Sequence, residues 1–185
     1  MKWKEIHAEG KLAVRDGLRE TFRAEHRHIR GALFALVQAF QNRDKPRILE
    51  LLDKLALSAG PHFRYEEEAL YPALCEFSGD EYVQKLFDAH DHVIATAREL
   101  VTIAEKELAT EAGVLWAIYG IDSILSRVSD CDGLSIMFEY LPENRIRAIL
   151  ESRDESQHAG VDLLTWALKT RTAGKQFSEP AVAAG

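Results

Sequence analysis

The sequence contains little of what several protein classes require. Its 185 residues include 11 Gly, 5 Pro and 2 Cys. So few Gly and Pro argue against an all-β fold, which needs a turn about every ten residues. The two cysteines, Cys75 and Cys131, cannot form a disulfide framework and favour a reducing, cytoplasmic setting. The charged N-terminal stretch has no apolar run, so neither a signal peptide nor a membrane anchor is expected.

Positive charge is also scarce. The chain has 23 Lys and Arg against 30 Asp and Glu, a net charge of −7. Such a surface repels phosphate backbones, so nucleic acid is not an expected partner. Glycine-rich phosphate loops, a Gly-x-Ser-x-Gly elbow and Cys-x-x-Cys pairs are absent from the sequence, which leaves nucleotide binding, acyl transfer and zinc fingers without support. What the chain does contain is 46% hydrophobic residues and 7 His.

Apolar residues recur at helical spacing almost throughout, and no strand is expected. Four long helices are predicted: Asp16 to Gln41, Pro46 to Phe77 with a kink just before His62, Asp80 to about Leu108, and a fourth that Thr110 caps and that weakens at Asp130 to Gly133. The loops between them are short, so the helices must fold back antiparallel. The sequence therefore predicts an all-α, up-down four-helix bundle.

The bundle is expected to occupy residues 16–141, after an N-terminal segment at 1–15. Pro142 begins an additional C-terminal helix over 142–172, with an inner face that runs from Ile146 to Leu168. This helix either packs along the bundle or takes part in forming a homodimer. Residues 173–185 are small and polar, and they are expected to form a flexible tail.

Position along each helix separates inner histidines from exposed ones. His26 has Phe22 four residues before it and Ile29 three after it, so it lies in the apolar stripe of the first helix. His90 lies in the corresponding stripe of the third helix. The histidines on polar faces are expected to be exposed: His28, His92 and His158.

His62 and Glu66 are four residues apart and project from one inner face of the second helix, whereas Glu67 and Glu68 are expected to face water. An ionised Glu on an inner face is costly unless a positive group accompanies it. One inner histidine is usually a core residue, but three with a Glu on consecutive bundle helices favour a metal site. Imidazole and carboxylate together suit non-haem iron, manganese or zinc, and bundle interiors hold such sites.

The first and third helices repeat around their inner histidines at an offset of 64 residues, so a second half-site is expected on the fourth helix. The same offset gives Ser126 and Asp130, which share a polar face. A shift of two residues gives Val128 and Asp132, which continue an apolar stripe, and it also places Ile136 on the inner face. We prefer the second register because a ligand has to face inward. Val128 then stands where a histidine is expected, and Asp132 supplies a carboxylate.

These motifs resemble those of the hemerythrin-like, or HHE cation-binding, domains. The first piece is Glu25-His26-Arg27-His28-Ile29, and a further histidine follows at His90. The most specific piece is His62 to Pro72, which reads His-x-x-x-Glu-Glu-x-x-Leu-φ-Pro. The resemblance covers Leu18 to Leu141, which is most of the chain.

The resemblance implies a four-helix bundle that holds two irons bridged by carboxylates and oxygen. By position, it implies that His26 and His62 are ligands of one iron and His90 of the other, with Glu66 and Asp132 as bridges. Family members bind or sense dioxygen or nitric oxide, handle peroxide, or serve iron homeostasis. A small diatomic or peroxide ligand is therefore expected at the metal. Because Val128 replaces a histidine, the second iron lacks one nitrogen ligand.

Two other interpretations stay open at this stage. A degenerate bundle that acts as a structural or interaction module would also explain Val128 and the weak helix end near Gly133. Alternatively, His26, His62 and Glu66 hold a single iron, zinc or manganese ion, since three protein ligands with an open position are typical of catalytic zinc. The sequence assigns no catalytic residue and leaves turnover undecided.

Overall fold

The computed structural model describes residues 2–108 and 110–173, and the side chains of residues 13–108 and 110–171. The described ranges are helical and contain no strand. The helices are α1 (Lys2–Gln41), α2 (Lys45–Tyr65), a π-helical turn (Glu66–Leu70), α3 (Tyr71–Ser78), α4 (Asp80–Lys106), α5 (Glu111–Asp132), α6 (Leu134–Met137), a 3-10 turn (Phe138–Tyr140), α7 (Glu143–Ala159) and α8 (Leu163–Ala173).

Four of these helices form an up-down bundle, which confirms the predicted fold class. Helix α1 packs against α2 and α5, and α4 packs against the same two helices, so the four close a ring. The predicted apolar stripe of α1 faces the interior, as expected for an amphipathic helix. Its buried members are Leu18, Phe22, Ile29, Leu33, Leu36 and Phe40.

Local signals account for several helix ends. The Asp44 side chain accepts a hydrogen bond from the Arg47 backbone N–H at the start of α2. The Thr110 hydroxyl accepts one from the Gly113 N–H at 2.9 Å at the start of α5. Helix α5 ends at Asp132, where the sequence predicted weakness. Helix α1 begins earlier than the predicted Asp16 and includes most of the segment that was set apart as residues 1–15.

The kink predicted just before His62 stays a prediction, because helix α2 is unbroken there. Helix α2 continues through Pro61, and the change of helical geometry comes at the π-helical turn that begins with Glu66. Gly60 has a different role. A Cβ atom there would lie only 2.2 Å from the Val161 carbonyl oxygen, so the absent side chain lets the α7–α8 connection pack directly against α2.

The predicted C-terminal helix is two helices. Gly160 has a φ of 56°, a left-handed conformation that ends α7, and α8 starts at Leu163. Helix α7 packs against α1 and α2, and α8 against α2 and α4, so this segment lies along the bundle. Ile146 is buried as predicted, but Leu168 is 60% exposed.

Two further expectations concern the chain ends and membranes. The predicted flexible tail at 173–185 lies outside the described residues from residue 174 onward. None of the described helices combines the length and hydrophobicity that a membrane span needs.

Candidate metal centre

Three histidines from three elements of the bundle surround one carboxylate. His26 from α1, His62 from α2 and His90 from α4 are buried, and Glu66 is fully buried at the start of the π-helical turn. The His62 Nε2 atom lies 3.5 Å from Glu66 Oε1, and His90 Nε2 lies 2.9 Å from Glu66 Oε2. His26 Nε2 lies 2.9 Å from His62 Nε2. The two oxygens of Glu66 therefore face two different sets of histidines.

Each of these histidines places its other ring nitrogen, Nδ1, within hydrogen-bond distance of a carboxylate. The pairs are His26 with Asp132 at 2.7 Å, His62 with Glu25 at 2.8 Å and His90 with Glu67 at 2.9 Å. An ionised carboxylate can only accept a hydrogen bond, so each Nδ1 carries the proton and donates. With Nδ1 directed outward, each Nε2 faces the cluster and can offer its lone pair to a metal ion once it carries no proton. This arrangement is typical of metal-bound histidines, whose outer nitrogen is held by a carboxylate.

Arginines hold the three outer carboxylates in turn. The pairs are Arg30 with Asp132, Arg153 with Glu25, and Arg171 with Glu67. Arg171 is bidentate, with Nη1 and Nη2 lying 2.9 and 2.6 Å from the two oxygens of Glu67. Arg153 belongs to α7 and Arg171 to α8. The two C-terminal helices thus hold the carboxylates that contact His62 and His90.

The donor atoms of the cluster fit a cation. Because His26 and His62 both donate through Nδ1, their Nε2 lone pairs face each other at 2.9 Å and repel unless a proton or a cation lies between them. These two nitrogens and one oxygen of Glu66 lie within 4.8 Å of one another. Nitrogen and oxygen donors in this combination suit iron, manganese or zinc.

The charges within the cluster compensate one another. Burial opposes ionisation of Glu66, but the positive charges of His62 and His90 overcome burial and lower its pKa to about 2. Burial opposes protonation of His62 and His90, but their contacts with carboxylates, chiefly Glu66, raise the pKa of each ring. Burial and the neighbouring His62 charge lower the pKa of His26. The buried carboxylate is therefore stable as an anion only with a positive partner.

Two side chains near Glu66, the buried Tyr71 and the half-buried Cys131, were not identified from the sequence. The Tyr71 hydroxyl lies 2.8 Å from His90 Nε2 and 3.5 Å from Glu66 Oε2. The Cys131 Sγ atom lies 3.4 Å from Glu66 Oε1. Burial and the Glu66 charge raise the pKa of both groups well above their ordinary values, so both stay protonated and can donate. Tyr71 occupies the apolar position before proline in the His62 to Pro72 motif. An apolar position predicts a packed side chain and does not predict a hydroxyl that contacts the cluster.

The structure shows where the residues of the preferred register on the fourth helix lie. Asp132, predicted as a bridge, lies beside the outer nitrogen of His26 and is not brought to Glu66. Cys131 occupies the inward position instead. Ile136, which the register placed inside, is 65% exposed. Val128 is half-buried and lines the interior cavity, so no histidine stands at that place.

Other predictions about individual side chains have mixed outcomes. The histidines on polar faces, His28, His92 and His158, are exposed as expected, and Glu68 faces water. The prediction for Glu67 is wrong, because its side chain is only 9% exposed and bonds to His90 and Arg171.

The fold and the site define an all-α bundle with a buried histidine and carboxylate cluster on its axis. A model of the Hemerythrin HHE cation binding domain matches residues 18–127, and the chain belongs to this family. The family and the cluster of His26, His62 and Glu66 together support cation binding. No curated protein and no solved structure matches the chain.

Proposed function

We propose that the chain is a non-haem iron protein whose buried cluster holds a carboxylate-bridged diiron site. The observation that carries the proposal is Glu66, which directs one oxygen toward His62 and the other toward His90. A carboxylate with two oxygens in different nitrogen environments suits a bridge between two ions. His26 and His62 would hold one iron, and His90 the other.

The outer carboxylates would orient these ligands. Asp132 is assigned to this role because it accepts from His26 Nδ1 and pairs with Arg30. The family resemblance offered Asp132 as a second bridge, but its side chain is 34% exposed and lies on the far side of the imidazole. The proposed bridge is therefore Glu66 alone.

The proposed ligand is a small molecule such as dioxygen, nitric oxide or peroxide. Bound iron would supply redox chemistry and an open coordination position at the end of the site where Val128 stands in place of a histidine. Tyr71 would donate a hydrogen bond to a ligand beside His90, since its hydroxyl stays protonated and already contacts that ring. Storage or sensing in iron homeostasis, in a cytoplasmic setting, uses the same site.

Iron counting on protein purified anaerobically after iron-replete expression tests the proposal. We expect about two irons per chain in the wild type, about one in His90→Ala and none held tightly in His62→Ala. The matched control is His28→Ala, an exposed histidine two residues from His26, which should retain the wild-type count. The absence of stoichiometric iron in the wild type would overturn the proposal.

A mononuclear site is the second candidate, and one observation favours it. His26, His62 and Glu66 form a compact three-ligand group, whereas the Nε2 atom of His90 also contacts the Tyr71 hydroxyl. One metal per chain with no visible absorption would indicate zinc, because an oxo-bridged diiron centre absorbs in the near ultraviolet and visible. If chelation leaves the melting temperature unchanged, the chain is a structural module, because a ligand that binds only the folded state stabilises it.

A further inference from the structure

A large cavity extends from the candidate metal centre along the bundle axis. Its volume is about 730 Å³, and its lining on α1 runs from His26 to Leu36. Ten residues of α-helix span about 15 Å, so the cavity is elongated along the helices. Beyond the cluster most of its lining is apolar and includes Ile29, Leu33, Leu36, Leu52, Val93 and Leu100. Charged side chains also line it, at Asp53, Lys85, Arg127, Asp130 and Asp162.

The cavity is too large for a diatomic ligand alone. One water molecule takes about 30 Å³ of liquid volume, so the space is larger than a diatomic ligand needs by a factor on the order of twenty. Its volume falls within the range of about 300–1,000 Å³ that is typical of pockets for small organic molecules. Exposed side chains line the cavity both on α4 and α5, at Tyr82 and Arg127, and on α2, at Asp53 and Leu57, so it opens to solvent at more than one place.

We propose that this cavity binds an unbranched aliphatic carboxylate, with the chain along the bundle axis and the carboxylate at the metal centre. The apolar walls from Ile29 to Leu36 select the chain by burying methylene groups. An extended backbone spans about 3.3–3.6 Å for every three bonds, so 15 Å accommodates a chain of roughly twelve bonds. This length corresponds to a medium-chain fatty acid.

The placement of the carboxylate rests on the proposed function. The polar end of the cavity is the cluster of His26, His62, Glu66 and His90, with the Tyr71 hydroxyl beside it. A carboxylate is a good ligand for iron, manganese or zinc, whereas in the metal-free protein His62 and His90 are already paired with Glu66 and offer no free cation to it. The aliphatic part of the ligand is therefore expected to bind the cavity with or without metal. Its carboxylate is expected to bind the cluster only when metal is present.

Val128 makes the two parts continuous. At the place where the internal repeat predicts a histidine, the chain has a half-buried aliphatic side chain that lines the cavity. An apolar residue there extends the hydrophobic wall to the level of Cys131 and leaves a coordination position for a ligand from the cavity side. The departure from the internal repeat thus opens the metal centre toward the chain-binding space.

Isothermal titration of the 185-residue protein with dodecanoate, butanoate and dodecanol tests the proposal. We expect dodecanoate to bind the metal-loaded protein tighter than butanoate by a factor on the order of 100 or more, because each buried methylene adds to the affinity. In the metal-free protein, the affinity for dodecanol is expected to equal or exceed the affinity for dodecanoate. In the metal-loaded protein, dodecanol is expected to bind more weakly than dodecanoate. Equal affinities for dodecanoate and butanoate would overturn the proposal.

Cavity-filling variants locate the binding. Ala97→Leu places three more carbons in the cavity and should weaken dodecanoate binding about tenfold or more. Ala95→Leu, an exposed position on the same helix, is the matched control and should bind as the wild type does. Ala56→Leu, which also lines the cavity, replaces Ala97→Leu if circular dichroism shows that the latter is unfolded. Unchanged dodecanoate affinity in the folded cavity variant would refute the assignment.

The same titrations separate this inference from the proposed function. If the protein binds no metal but its affinity still rises with the length of the aliphatic ligand, the aliphatic site is supported. The same result would refute both the placement of the carboxylate and the iron site. If the protein binds stoichiometric iron but its affinity does not depend on the length of the aliphatic ligand, the iron site is supported and the aliphatic ligand is refuted.

Discussion

Replacing Arg171 with Gln tests whether α8 acts on the metal centre. Arg171 forms two hydrogen bonds to the Glu67 carboxylate, at 2.6 and 2.9 Å, and Glu67 in turn accepts from His90 Nδ1 at 2.9 Å. Glutamine reaches less far and carries no charge. Glu67 then keeps its contact with the imidazole but loses the group that fixes its position.

The structure sets the expected magnitudes. Hydrogen bonds to charged groups contribute about 1.5–3 kcal/mol each when well formed. The Arg171 side chain is 26% exposed, so solvent screens part of this interaction. We expect Arg171→Gln to lower the free energy of unfolding by about 2 kcal/mol. Changes to groups that orient metal-bound histidines typically reduce metal affinity by about 10- to 100-fold, and we expect this loss for the ion proposed to bind beside His90.

Chelator competition measures the metal affinity, and urea unfolding followed by circular dichroism measures the stability of the metal-free protein. Arg147→Gln is the matched control. Its partner is Glu143 at 2.7 Å on the exposed face of α7, so its effect on stability should stay below about 1 kcal/mol. If Arg171→Gln loses stability but binds metal as tightly as Arg147→Gln, the reasoning is refuted and Arg171 only fastens α8.

Three further predictions follow from single positions. Gly60→Ala should lower the free energy of unfolding in urea by about 1–3 kcal/mol, because its Cβ would meet the Val161 carbonyl oxygen at 2.2 Å. Gly31→Ala should not lower the free energy of unfolding, because its Cβ would meet nothing within 4 Å. Equal losses of unfolding free energy in the two variants would contradict the packing argument. Because its folded-state pKa is lowered from 4.5 to about 2, Glu66 contributes stability above pH 4.5 and loses it as the pH falls to about 2. This contribution is on the order of 3 kcal/mol. The melting temperatures of the metal-free wild type and Glu66→Gln should therefore converge as the pH falls over that interval. A constant difference between them would contradict the lowered pKa of Glu66. Tyr71→Phe should cost about 1 kcal/mol of metal-free stability and leave the metal content unchanged; loss of metal by elemental analysis would instead make its oxygen a ligand.

Helical periodicity was sufficient to find the inner residues of the site. His26, His62 and His90 each lie in an apolar stripe, and a stripe determines which face of a helix is buried whatever the partner helix contributes. The residues that complete the site lie off the stripe. Glu25 precedes His26 by one residue, and it contacts His62 only because α1 and α2 pack side by side. Such contacts depend on how two helices are positioned relative to each other, and the periodicity of a single helix carries no information about that.

The π-helical turn explains why prediction failed just after Glu66. A π turn closes its hydrogen bonds over five residues instead of four, so side chains within it and beyond it are rotated relative to a regular helix. Glu67 therefore turns toward His90, although regular spacing placed it in water. The fourth helix has no such turn among its described residues, so copying the spacing of His62 and Glu66 onto it selected Asp132 where Cys131 faces inward.

The charges around the cluster explain why a cation belongs at Glu66 rather than at its neighbours. Each of the three outer carboxylates has an arginine partner, so each outer pair is close to neutral. Among the described residues, Glu66 contacts His62, His90, Tyr71 and Cys131 and has no arginine. A buried carboxylate without a fixed cation is costly, and in the metal-free protein protons on the histidines offset that cost. A metal ion bound there would replace those protons, so we expect metal uptake and proton release to be linked at this cluster.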